Sequence, residues 1–258
     1  MCLVLFSLQQ HADYPLIVAA NRDELYERPT QAAHFWEQYP GLFAGRDLRA
    51  GGTWMGITNT GRFAAVTNFR EIADPPAVTV SRGELCTHFL SSRLKPEEYL
   101  AQLHHKKARY AGFNLLVGTL SGTTPNLWYY SNRQQQIIKL PPGIHGLSNG
   151  LLNDPWPKVN QGKQALASRL EDSSTPETLL TVLTDTQRPA DDLLPDTGIG
   201  LETERILSSR FIQSNAYGTR SSTIMRIDQQ GRAEWLEQEF DHTGAIGKPR
   251  SYQIELRQ

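Results

Sequence analysis

The chain has 258 residues, 39% hydrophobic and 21% charged, with 26 Lys+Arg against 27 Asp+Glu and a net charge of -1. That balance leaves no basic excess to neutralise a phosphate backbone, which argues against nucleic acid as a partner. No apolar run approaches the roughly 18–20 residues of a transmembrane helix, and the apolar start, Met-Cys-Leu-Val-Leu-Phe-Ser-Leu, lacks the positive n-region and small-residue cleavage site of a signal peptide.

Two cysteines, Cys2 and Cys86, make no disulfide framework and suit a reducing compartment, the cytoplasm. The seven histidines show no metal-binding spacing. His104 and His105 are adjacent and point to different sides of any helix. Neither a metal nor a cofactor is expected. No linker, low-complexity tract or repeat interrupts the chain, so one domain is expected over residues 1–258.

Taken in order, residues 2–8 and 15–20 are apolar runs of strand length around a polar turn. Paired as a hairpin centred near residues 11–12, they set Cys2 opposite Asn21 or Arg22. A second hairpin, 53–58 with 62–68, turns at Asn59-Thr60-Gly61. It carries Asn68 opposite Thr53 and the Gly51-Gly52 pair, which permits close backbone approach or a sharp bend. Ser81-Arg82-Gly83-Glu84 has capping-box spacing and opens a helix to about residue 91. Pro96 opens another, 96–110, with Glu97 and Glu98 at the positive end of its dipole. Strands follow at 113–120, 127–131 and 136–140, and helices at 157–170 and 176–184. Residues 191–204 are acidic and read as a loop. Strands close the chain at 219–227 and 232–240. Strands, then helices, then strands again predict a layered α+β fold with mostly antiparallel sheet.

Chemistry concentrates at few positions. If Met1 is removed, Cys2 carries a thiol and a free α-amine, with reference pKa values of about 8.5 and about 7.7–8.0. Such an amine can act as base for its own thiol. Arg22 would favour the thiolate, and Asp23 could hold the amine. Position alone favours a small apolar residue at the start of a buried strand. Asn21-Arg22-Asp23-Glu24 is either a polar strand end or part of a site. Asn68 and Asn149 are either oxyanion-hole amides or turn residues, Asn149-Gly150 especially. Arg220 could bind a substrate carboxylate, support the thiolate, or simply edge a strand. The five tryptophans, Trp54 among them, read as core or pocket walls.

Taken together these segments resemble the NRDE family, also called the transport and Golgi organisation protein 2 family. The resemblance is carried by Met1-Cys2, Asn21-Arg22-Asp23-Glu24, Arg28-Pro29-Thr30, Gly45-Arg46-Asp47-Leu48, Gly51-Gly52-Thr53-Trp54-Met55-Gly56 and Gly61-Arg62. It continues through Thr67-Asn68-Phe69-Arg70, Ser81-Arg82-Gly83, Gly146-Leu147-Ser148-Asn149 and Tyr217-Gly218-Thr219-Arg220. It implies a more distant similarity to cysteine N-terminal-nucleophile hydrolases of the bile salt hydrolase and penicillin V acylase group. The implied fold is a four-layer αββα sandwich. The implied catalytic positions are Cys2, Arg22, Asp23, Asn68, Asn149 and Arg220, with Asn21 a second candidate for the place of Asp23. Asn21, Thr67 and Trp54 are the implied substrate contacts. The activity implied is hydrolysis or acyl transfer at an amide or acyl bond of a small molecule. The alternative, from the eukaryotic side of the family, is a non-enzymatic carrier of haem or an acyl-CoA-like lipid ligand.

Overall fold

The computed structural model describes residues 2–71, 80–120, 124–172 and 175–257. Met1, on whose removal the N-terminal chemistry turns, lies outside them. One sheet has six strands: β1 (Cys2–Leu8), β2 (Leu16–Leu25), β10 (Gly143–Leu147), β11 (Tyr217–Ile227), β12 (Arg232–Asp241) and β13 (Gly244–Glu255), in the order β10-β1-β2-β11-β12-β13. The other has seven in sequence order: β3 (Thr30–Phe35), β4 (Leu42–Asp47), β5 (Met55–Thr58), β6 (Arg62–Asn68), β7 (Phe113–Thr119), β8 (Asn126–Ser131) and β9 (Ile137–Lys139). Every pairing is antiparallel.

The period-2 alternation of strands sorts the core into layers. Val4, Phe6 and Val18 meet Phe43, Ile57 and Phe63 between the sheets. Leu3, Leu5 and Ile17 point the other way, against α3 (Pro157–Asp172) and α4 (Pro176–Leu180) through Leu166 and Leu179. The outer face of the seven-stranded sheet packs on α1 (Gly83–Ser91) and α2 (Pro96–Lys106) through Phe89 and Leu100. The result is the αββα sandwich. Burial on both faces explains why β1 reads as an almost unbroken apolar run rather than an alternating one.

Several expectations change in detail. The strands 30–35, 42–47, 143–147 and 244–255 carry no clean alternation and went unread. Ser81 does not form a capping box with Glu84. Its Oγ accepts the Gly83 N–H (3.3 Å), and Glu84 takes the Tyr110 hydroxyl instead (2.5 Å). The helix begun at Pro96 ends at Lys106 in a 3-10 turn, Lys107–Arg109, and that begun at Pro176 ends at Leu180 in another, Thr181–Leu183. Within the expected loop 191–204 a 3-10 turn, Asp191–Leu193, precedes α5 (Leu201–Ile206). Among the described residues, no helix is long and apolar enough to cross a membrane.

Candidate active site

The β1–β2 ladder pairs Cys2 with Arg22 and Leu3 with Asn21, which resolves the two registers the hairpin allowed. On its other side β1 pairs with β10, Val4 opposite Leu147. The chain leaving β10 therefore runs beside the start of β1, where the Ser148 hydroxyl donates to the Cys2 carbonyl (3.2 Å). Cys2 thus sits at the end of an interior strand, held from both sides, at one edge of the gap between the sheets. It borders a cleft of about 460 Å³ whose lining includes Arg22, Asp23, Trp54, Asn68 and Arg82.

The far wall is built by glycines. Gly51 adopts φ +78, and a Cβ on Gly52 would lie 2.6 Å from the Gly83 carbonyl carbon. The glycine pair therefore provides both the bend and the close approach. The Thr53 N–H donates to the Gly83 carbonyl (3.3 Å), so the start of α1 docks directly on the segment carrying Trp54.

Asp23 is almost fully buried. Its Oδ1 accepts the Thr219 hydroxyl (2.8 Å), and its carbonyl accepts the Tyr217 hydroxyl (2.9 Å). Burial pushes its carboxyl up; Lys158, Thr219 and Arg22 pull it down. The Cys2 thiol is also pushed up, chiefly by burial and further by Asp23, against the opposing pull of Arg22. Arg22 donates to Thr30 Oγ1 (3.2 Å) and forms no ion pair among the described residues.

The two asparagines divide. Asn68 lines the cleft, and its side-chain amide has no hydrogen-bond partner among the described residues. Asn149 is fully buried behind it. Its Nδ2 donates to the Asn68 carbonyl (2.9 Å), and its own carbonyl accepts the Arg70 N–H (2.7 Å). Asn149 thus holds the backbone that presents Asn68.

Three other expected positions lie away from the cleft lining. Thr67 donates to the Ser148 carbonyl (2.6 Å) and accepts from Asn114 (3.1 Å), stitching β6 to the segment after β10. Asn21 faces the helical layer, donating to the carbonyls of Leu183 (2.9 Å) and Arg210 (2.8 Å) and accepting from Ser222 (2.6 Å). Of the two candidates for one place, Asp23 borders the cleft and Asn21 does not. Arg220 falls at a bulge: Asp23 pairs with Thr219 and Arg22 with Ser221, leaving Arg220 outside the ladder. A bulge re-aims its side chain. Arg220 Nη1 donates to the carbonyls of Leu25 (2.9 Å) and Arg28 (3.0 Å), and Nε to that of Phe240 (3.3 Å). It ties down the turn after β2.

A buried charged cluster behind Asp23 was not anticipated. Arg70 pairs with Glu204, both buried, and stacks over Trp156 at 4.7 Å. The Lys158 ammonium donates to the Leu207 carbonyl (2.9 Å) and is pushed down to about 8, chiefly by burial and then by Arg70, against the pull of Asp23. Lys158 reads from sequence as an ordinary first-turn residue of a helix, and Glu204 as part of an acidic loop. Neither carries a signal of burial. Among the described residues no group of three or more His, Cys, Asp or Glu is placed to hold a metal ion.

Two packed antiparallel sheets between helical layers, with a cysteine heading the first strand, define the fold of the N-terminal-nucleophile hydrolases. Solved structures agree on the fold. A Caenorhabditis elegans N-acylethanolamine-hydrolyzing acid amidase ortholog superposes with a TM-score of 0.52 at 10% identity, over 87% of this chain and 92% of that one. A variant of the conjugated bile acid hydrolase from Clostridium perfringens gives 0.52 at 8% identity, over 100% and 94%. The chain belongs to the Transport and Golgi organisation 2 family, whose model matches residues 1–242. It is 35% identical to the Transport and Golgi organization 2 homolog of Mus musculus and 34% identical to that of Homo sapiens, in each case over the full length of both chains.

Proposed function

We propose that the protein is a cysteine hydrolase or acyltransferase of the N-terminal-nucleophile type, acting on an amide (C–N) or acyl bond of a small molecule. The observation that carries this reading is the meeting of Cys2, Arg22, Asp23 and the uncommitted amide of Asn68 around one cleft. Removal of Met1 frees the Cys2 α-amine, which takes the thiol proton. The thiolate attacks the substrate carbonyl carbon, and the Asn68 amide donates to the resulting oxyanion. The C–N bond breaks, and the leaving nitrogen takes the proton from the α-ammonium. Water or another acceptor then attacks the thioester, again with the amine as base, and restores the thiol. Asp23 orients the amine, Arg22 supports the thiolate, and Asn149 and Arg220 position the cleft walls. Free Cys2 and Cys86 fit a cytoplasmic setting.

The carrier reading has less support. Among the described residues none that lines the cleft is a histidine, and of them Cys2 alone would offer haem an axial ligand there. The test is mass spectrometry of the mature protein treated with an acyl or β-lactam electrophile. The expected result is loss of Met1 and a covalent adduct on Cys2 that is absent in Cys2→Ala. A chain that keeps Met1, or an adduct elsewhere, overturns the mechanism.

A further inference from the structure

We propose that the cleft selects an anionic substrate, an amide or acyl compound bearing a carboxylate or phosphate, which Arg82 and Arg46 bind opposite Cys2. This deepens the reading above and rests on it. The charge arrangement in the cleft is the argument. Among the described residues four arginines line it: Arg22, Arg28, Arg46 and Arg82. Arg28 is committed, its guanidinium on Asp47 at 2.7 and 2.8 Å with Glu24 at 3.9 Å. Among the described residues the other three form no ion pair. Asp23, the remaining acid of the lining among the described residues, accepts the Thr219 hydroxyl through Oδ1 and is drawn down by the charge of Lys158.

Arg22 belongs to the nucleophile. Its Cα partner across the ladder is Cys2, and it is almost fully buried. Arg82 stands on the other wall, immediately before α1, where among the described residues only the Gly112 carbonyl (3.0 Å) accepts from it. Burial lowers its guanidinium, and the negative charges acting the other way are those of Cys2, Glu24 and Glu71, none of which forms an ion pair with it among the described residues. Arg46, at the mouth, lies over the Trp36 ring at 4.6 Å and donates to Gln38 (3.1 Å). Stacking fixes the plane of its guanidinium and leaves its charge uncompensated. Guanidinium groups in this state match the oxygens of a carboxylate or phosphate. An uncharged acyl chain would give neither guanidinium an ion-pair partner on binding.

The test uses two maleimides of nearly equal size on the full chain: N-ethylmaleimide, neutral, and N-(2-carboxyethyl)maleimide, anionic. In both reactions the Cys2 sulfur bonds to one alkene carbon and a proton ends on the other. Modification of Cys2 is read by peptide mass spectrometry and normalised to the same pair reacting with glutathione. One charge-assisted contact predicts a preference for the anionic reagent of about tenfold. Arg82→Gln should abolish that preference, and Arg82→Lys should retain part of it. If Arg82→Gln does not fold, Arg46→Gln serves as the second variant and should reduce the preference. A wild-type ratio equal to that of glutathione, or one unchanged in the variants, overturns the anion subsite and leaves the nucleophile reading intact. If neither maleimide reaches Cys2, the nucleophile reading is the one that fails. The subsite is then read from melting temperature with inorganic phosphate or succinate against sodium chloride at equal ionic strength. A rise with phosphate alone or succinate alone, lost in Arg82→Gln, identifies the anion, and no rise with either overturns the proposal.

Discussion

Asn149 donates its side-chain amide to the backbone carbonyl of Asn68 at 2.9 Å, across 81 residues of sequence. The contact separates two asparagines that sequence alone gives the same role. Asn68→Ala should slow Cys2 acylation by roughly 10²-fold, the cost of one oxyanion donor, with little change in melting temperature. Asn149→Ala should cost about 2–3 kcal/mol of stability, because it orphans buried groups. Acylation rates and thermal melts of the two variants, side by side, check the division. Equal loss of stability in both would contradict it.

Arg220 makes all its hydrogen bonds to carbonyls. Arg220→Ala should therefore cost about 1–2 kcal/mol through lost contacts to the turn after β2. The midpoint of a pH–rate profile for Cys2 alkylation should not move. A shifted midpoint would mean that Arg220 acts on the thiolate.

The Arg70–Glu204 pair is buried on both sides. Glu204→Ala removes the Glu204 carboxylate from this buried pair, and a loss of about 3–5 kcal/mol is expected in urea unfolding. A loss under 1 kcal/mol would show the pair to be dispensable.

Lys158 gives a pH signature. Its folded-state pKa is depressed from 10.5 to about 8. Between those values the unfolded chain holds a proton that the folded chain has released, so this group makes stability rise with pH across that window. The full effect is on the order of 3 kcal/mol. The buried thiols act in the opposite sense, since burial raises Cys2 and Cys86 and the unfolded chain loses those protons first. The Lys158→Met variant keeps the thiols and removes the lysine. The difference in unfolding free energy between wild type and this variant should change by that amount from about pH 7 to about pH 10.5. A flat difference would rule out the depressed lysine.

Gly52→Ala tests the glycine wall. The new Cβ meets the Gly83 backbone, not a flexible side-chain end, so α1 must shift, at a cost of about 1–3 kcal/mol. The displaced Arg82 should also slow the reaction of Cys2 with anionic reagents more than with neutral ones.

What the sequence disclosed follows from period and symmetry. The first hairpin has a long apolar arm on each side of a short polar turn, and its geometry brings Arg22 to Cys2. The Gly51-Gly52 pair announced the bend and the close approach. Other parts depend on contacts that no local pattern records. β10 is five residues with two glycines, too short and too small to read as a strand. It is recognisable only once β1 has an open edge for it. The bulge at Arg220 inserts one residue into a ladder whose alternation otherwise looks regular, so its changed direction is invisible in the chain. Glu204 reads as the end of an acidic loop, because acids seldom go inside unpaired and its partner lies 134 residues away.

The position of β1 sets a timetable. It is an interior strand, and its two neighbours emerge from synthesis far apart, β2 at once and β10 only from residue 143. At about 5–20 residues per second that interval lasts roughly 6–24 s. During it the start of the chain is open to an aminopeptidase. Afterwards Ser148 and the strand before it hold the start of β1 from its second side. The trimming that the proposed chemistry requires therefore has its widest window on the nascent chain, before β1 gains its second neighbour.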